Sequence, residues 1–201
     1  MKIQDFFRIF FGSDFPGFIS IWDKQTKHSK FFRNCELDSM SRYIKKKYKN
    51  NDLYFGCGLR ADKEMPGRGK HENIIGIPGF WMDLDLKADV HKSDNYPVDK
   101  IEAYKILHEF PLAPTIVNSS GYGLHLFWLF EKPWIFRDEK ERNEAHVLSG
   151  KFQDKIISLF KNHGYILDKT ADLPRILRIP STLNHKKDSA VPVKIVRIKD
   201  E

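Results

Sequence analysis

Two patterns in this 201-residue sequence predict an α+β fold in which a split βαβ core follows a smaller mixed lobe. From residue 74 onward, apolar alternation and helical periodicity follow one another in the order βαββαβ, the arrangement of ferredoxin-like and RNA-recognition (RRM-like) folds. Ahead of it, strand, helix and strand patterns read as a mixed α/β lobe. The division expected is residues 1–73 for the N-terminal lobe and 74–201 for the RRM-like lobe, the two forming one integrated domain.

In the first lobe, GFISIW (Gly17 to Trp22) reads as a strand and DLYFGCGLR (Asp52 to Arg60) as a second. Between them a helix is expected near Asp38 to Lys49, because Met40, Tyr43, Ile44 and Tyr48 fall on one face and Asp38 or Ser39 can cap it. ADKEMPGRGKHEN (Ala61 to Asn73) is polar and glycine-bearing, and reads as a mobile basic loop. In the second lobe, IIGIPGFWMDLDL is a long strand interrupted by Pro78 and Gly79. A helix over Pro97 to Phe110 precedes the strands Pro114 to Ser120 and Gly123 to Phe130, which the turn at Gly121 and Tyr122 joins. A long helix from about Asp138 to Asn162 shows a core face of Ala145, Leu148, Phe152, Ile156 and Phe160 and closes at Gly164. Tyr165 to Asp168 and Arg175 to Ile179 read as short strands, the fourth strand of the core flanking the first.

Composition narrows the class of function. With 41% hydrophobic and 13% aromatic residues the chain is a folded protein, and its net charge of +7 suits a polyanionic partner. Cys35 and Cys57 are far apart with no Cys-x-x-Cys spacing, which argues against structural zinc and a disulfide framework and fits a reducing cytoplasm. The apolar start MKIQDFFRIFFG is too short to span a bilayer and carries Asp5 and Arg8, so neither secretion nor membrane insertion is expected. A monomer is the default expectation.

Three stretches concentrate chemistry. In WMDLDLK, Asp83 and Asp85 stand two apart on a strand, so they point to one face roughly 6.6 Å from each other. Two like charges so placed are tolerable when a divalent metal completes the site, when a pair of basic partners offsets them, or when the face opens to water. In NSSGYGLHLFW, glycines 121 and 123 let backbone amides approach a ligand, with Ser120 beside them, and His125 can donate to a phosphate oxygen. In LDKTADLPRILRIPSTLNHKK, Arg175 and Arg178 precede Asn184, His185, Lys186 and Lys187, a basic run suited to triphosphate or template backbone. Either arginine could instead pair with Asp172.

Together these three stretches resemble the catalytic motifs of the archaeo-eukaryotic primase superfamily, in its primase-polymerase (Prim-Pol) branch. FISIWDKQTKHSKFF followed by DLYFGCGLR is similar to that branch's N-terminal lobe, so the resemblance covers most of the chain. It implies a DNA primase/polymerase: a template-directed nucleotidyltransferase that starts and extends chains, using two Mg²⁺ or Mn²⁺ ions, nucleoside triphosphates and a single-stranded or primed DNA template. On that reading Asp83, Asp85 and Asp168 hold metal, with Asp172 the alternative third ligand, and His125 joins them in catalysis. Ser120, Gly121, Gly123, His125, Arg175 and Arg178 bind the nucleotide, and Arg60, Arg68, Lys70, Asn184, His185 and Lys186 bind nucleic acid. Pro180, Ser181 and Thr182 stand where related chains often have Pro-Gly-Thr, and the superfamily's cysteine-rich zinc elements are absent. Branches on plasmids and phages, or linked to CRISPR systems, are compatible with the motifs, as is a catalytic domain cut from a longer protein. The carboxylates alone would also permit a metal-dependent nuclease. A non-catalytic RRM-like binding module is the other alternative, but it would carry stacking aromatics where Asp83, Asp85 and His125 stand.

Overall fold

A computed structural model describes residues 2–63, 66–88 and 95–198. Two antiparallel sheets and four α-helices organise these residues. The first sheet runs β2 (His28–Phe32), β1 (Ile19–Asp23), β3 (Leu53–Gly56) and β8 (Ile176–Arg178). The second runs β11 (Lys194–Ile198), β6 (Ile116–Ser119), β7 (Gly123–Ile135), β5 (Ile74–Asp85) and β4 (Leu59–Arg60). A two-stranded ribbon, β9 (Leu183–Asn184) with β10 (Val191–Pro192), stands apart.

β5 and β7 pair side by side at the centre of their sheet and β6 flanks β7, as the split βαβ order requires. The expected fourth strand behaves differently. Tyr165 to Asp168 is not a strand, because its neighbours' hydrogen-bonding groups are already used: Ile166 donates to the Asn95 carbonyl, and Thr170 is held through its N–H by Gln153 and through its carbonyl by the Trp81 indole. The second short strand forms as β8, but it pairs with β3 in the other sheet, and the flank of β5 is taken by β4. The strand read over Asp52 to Arg60 is likewise two strands, β3 and β4, one in each sheet. The sheets are therefore tied by strands that cross residue 73 in both directions.

Alternation sorts the side chains of the central strands. Met82 and Leu84 of β5 with Leu124 and Leu126 of β7 pack against α3 (Lys100–Leu107) and α4 (Glu139–Asn162), through Ala103, Ile106, Ile156 and Phe160. The opposite face sends Trp81 and Phe127 into a second core shared with the other sheet. Helix α1 (Ile3–Phe11) plugs that core: Phe10 stacks edge-on against both Phe55 of β3, at 5.1 Å, and Phe127 of β7, at 4.9 Å. Each such aromatic pair contributes about 0.5–1.5 kcal/mol beyond its buried area. α2 (Leu37–Lys47) buries Met40 and Ile44 as its periodicity predicts, but a 3₁₀ turn over Asn34–Glu36 precedes it, so neither Asp38 nor Ser39 is its cap. On α4, Leu148 is exposed; the buried face passes instead through Ser149, Gly150 and Gln153.

Both cysteines are free, Cys57 in the core and Cys35 at the surface. Among the described residues no helix is long and apolar enough to cross a membrane.

Candidate active site

The face of β5 that carries Trp81 also carries Asp83 and Asp85, and it looks across a cleft toward β3 and β8. Register aligns the polar residues: Asp83 lies opposite His125, and His125 lies opposite Asn118. Asp85 lies opposite Gly123. That glycine is obligatory in the geometry, since a Cβ there would sit 2.5 Å from the Leu84 carbonyl oxygen. Gly121 has a φ of 100°, in the left-handed region that glycine adopts freely, and turns β6 into β7 beside the site.

A cavity of about 250 Å³ opens between the sheets. Asp83, Asp85, Ser120, Tyr122 and His125 line it from one side; Lys24, Tyr54 and Arg178 come from the other sheet's side, with Asn184 and Lys186 from the β9 region. Acidic and basic groups thus face one another across the cleft. A ligand with anionic phosphates and a bound cation matches that polarity.

Arg178 is positioned, not free to roam. Its Nη1 donates to Asp52 Oδ1, and its guanidinium carbon lies 4.8 Å over the Tyr54 ring. Asp52 also accepts from the His185 N–H at 2.9 Å and lies 3.9 Å from Lys24 Nζ. Burial acts to raise the Asp52 pKa, but the His185 N–H and Arg178 outweigh it and hold the carboxyl below its ordinary value. Asp52 and Lys24 lie in the stretches DLYFGCGLR and FISIWDKQTKHSKFF, where no spacing marks them out as site residues.

His125 is only 3% exposed. Burial, helped by the Arg178 charge, lowers its pKa to about 3, so the ring is neutral at physiological pH. Its Nε2 is 3.6 Å from Asp83 Oδ1, a contact between a neutral ring and a carboxylate.

Other expected site residues are placed elsewhere. Arg60, expected to meet nucleic acid, is 0% exposed: it donates to the carbonyls of Gly58, Arg68 and Pro174, and burial lowers its pKa to about 10. It is a core staple that ties the basic loop to the segment before β8. Arg175 does not line the cavity and pairs with Asp172, the alternative foreseen for it. Asp172 also lies 3.7 Å from Arg68. His185, expected on the nucleic-acid track, uses its N–H on Asp52 and its ring on the Tyr48 carbonyl. Asn184 is buried and donates to the Ser120 carbonyl, which joins the β9 ribbon to the turn before β7. Lys70 is exposed, 4.0 Å from Glu72. Of the basic loop, Glu64 and Met65 lie outside the described residues.

Donor chemistry at Asp83 and Asp85 suits a hard divalent ion: carboxylate oxygens on one strand face, partly open to the cavity. Among the described residues no group of three His, Cys, Asp or Glu side chains is close enough together to hold a metal, and neither Asp168 nor Asp172 lines the cavity. Asp168 is exposed; burial, helped by the charges of Asp168 and Asp85, raises the Tyr96 pKa. The backbone leading from Asp168 is anchored to β5: Gln153 of α4 bridges the Trp81 carbonyl, at 2.7 Å, and the Thr170 N–H, also at 2.7 Å.

No protein-family model matches the chain, and no curated protein matches it either. Its fold is similar to that of the archaeo-eukaryotic primase (AEP) domain of the cyanophage S-2L primase-polymerase, with a TM-score of 0.54 over 92% of this chain and 81% of that one. Sequence identity is 11%, so the likeness is one of fold.

Proposed function

We propose that this chain is a template-directed nucleotidyltransferase of primase-polymerase type, joining nucleoside triphosphates to a 3′-hydroxyl on a DNA template. The observation that carries the reading is the polarised cleft, with Asp83 and Asp85 on one wall and Arg178, Lys24 and Lys186 lining the same cavity. The fold likeness to a primase-polymerase domain supports it.

Asp83 and Asp85 would hold Mg²⁺ or Mn²⁺, with Asp168 the preferred third carboxylate because Asp172 is already paired with Arg175. Bound metal would supply Lewis-acid activation of the attacking oxygen and charge neutralisation at the α-phosphate. The remaining work falls to side chains of the chain itself. Arg178, pinned by Asp52 and Tyr54, presents a fixed charge to the β- and γ-phosphates and loses little freedom on binding. The neutral His125 offers an N–H to a phosphate oxygen without adding charge beside Asp83. Ser120 and the Gly121 turn bring polar groups to the same rim, and Lys186 and Lys24 extend the basic side toward the template. Exposed Arg68 and Lys70 would follow the nucleic-acid backbone.

Incubating the protein with Mn²⁺, a primed template and labelled deoxy- or ribonucleotides tests this. Extension of the primer supports the proposal. Degradation would point to a nuclease, and binding without chemistry to an RRM-like module.

A further inference from the structure

Three buried polar atoms on neighbouring strands lack hydrogen-bond partners among the described residues: Nδ2 and Oδ1 of Asn118, and Nδ1 of His125. Leaving such atoms unpaired costs about 1–3 kcal/mol each, so a core that retains them here has a reason to. Asn118 is 0% exposed and directly opposite His125 in the β6–β7 register, so both side chains leave the same sheet face with Cβ atoms about 4.5–5.5 Å apart. Beyond Asn118 the row ends at Ile195 of β11, which offers its side no polar partner. On its other side, His125 Nε2 faces Asp83.

That layout decides which imidazole nitrogen carries hydrogen. A bare Nε2 lone pair facing the Asp83 carboxylate would be repulsive, whereas an Nε2–H is attracted to it. Nδ1 is then the acceptor, and the one donor register brings beside it is the Asn118 amide. Resting on the proposed function, we infer that Asn118 is a positioning residue: its Nδ2–H donates to His125 Nδ1 through one buried water, and so keeps the Nε2–H aimed at the cavity where the triphosphate binds. The Phe127 ring, edge-on to His125 with centroids 6.4 Å apart, limits the ring from the side. Ile116, two residues earlier on the same face of β6, is apolar and buried, so packing alone does not call for an amide at 118.

Nitrogen-15 NMR of histidine-labelled, ligand-free protein reads the tautomer without requiring any activity. The inference predicts a protonated Nε2 and an unprotonated, hydrogen-bonded Nδ1 at His125. A protonated Nδ1 would overturn it, whatever the enzyme turns out to do. Asn118→Leu leaves His125 Nδ1 without its donor, so it should melt below the wild type, while kcat/KM for triphosphate falls about tenfold, equivalent to about 1.4 kcal/mol. Asn118→Asp, which accepts but does not donate when ionised, should put a proton on Nδ1 while Nε2 keeps its own beside Asp83. Wild-type kinetics and an unchanged tautomer in both variants would also overturn the assignment. Should Asn118→Leu fail to fold, the wild-type and Asn118→Asp spectra still decide it.

Discussion

Arg178 on β8 is bonded to Asp52, 126 residues earlier in the chain, and this buried pair fixes the cation that faces Asp83 and Asp85 across the cleft. Breaking a buried pair by deleting one member leaves an uncompensated charge. Asp52→Ala is therefore expected to lose about 3–5 kcal/mol of stability in urea unfolding. Asp52→Asn keeps the shape and should fold, with KM for triphosphate raised about tenfold as Arg178 loses its fixed direction. Unchanged KM in a folded Asp52→Asn would remove Arg178 from phosphate binding.

Asp52 also makes a pH prediction. Its folded pKa lies below the ordinary 3.8, so the stabilisation it provides is fully present above that value and is lost as pH falls through the lower folded pKa. Wild-type stability should decline below pH ~4 more steeply than that of Asp52→Asn, whose amide does not titrate. Parallel acid limbs in the two proteins would count against the pair.

Gly123 lets β7 approach β5 closely on the wall of the site that carries Asp85. Gly123→Ala forces a methyl to within 2.5 Å of the Leu84 oxygen, so β7 must move away from β5 where Asp85 sits. A loss of about 1–3 kcal/mol is expected. Nucleotide incorporation should fall further than that figure accounts for, because the displacement is at the site. Thermal melts paired with activity separate the two effects.

Phe10 joins α1 to both sheets. Phe10→Ala should cost about 3–5 kcal/mol, measured by chemical denaturation, and loosen the cleft whose walls those sheets supply. A cost under about 1 kcal/mol would show that α1 is peripheral.

What was legible in the sequence was local. Asp83 and Asp85 share a face because strands have a period of two, and the glycine turn sets the β6–β7 register that puts His125 opposite Asn118; the meeting of His125 with Asp83 follows from the split βαβ order, which pairs β5 with β7. Arg60 reads in sequence as a strand-end cation beside a basic loop, whereas its burial depends on the carbonyls of Gly58, Arg68 and Pro174, the last 114 residues away. The strand expected over Tyr165 to Asp168 had the right apolar residues, but Gln153 and Trp81 claim the backbone groups of nearby Thr170. α1 reads as a bare apolar run, and only the fold shows its phenylalanines meeting Phe55 and Phe127. Asp52 and Lys24 enter the site by tertiary placement alone.

The most direct test of the central claim is single-nucleotide incorporation on a primed template, with Mg²⁺ or Mn²⁺, by the wild type against Asp83→Asn and Asp85→Asn. Both substitutions keep side-chain volume and remove charge from partly exposed positions, so each variant should melt within about 1 kcal/mol of the wild type or above it. The account predicts that wild type incorporates the nucleotide and that each variant loses at least about 100-fold in rate. Incorporation at near wild-type rate by either folded variant would contradict it.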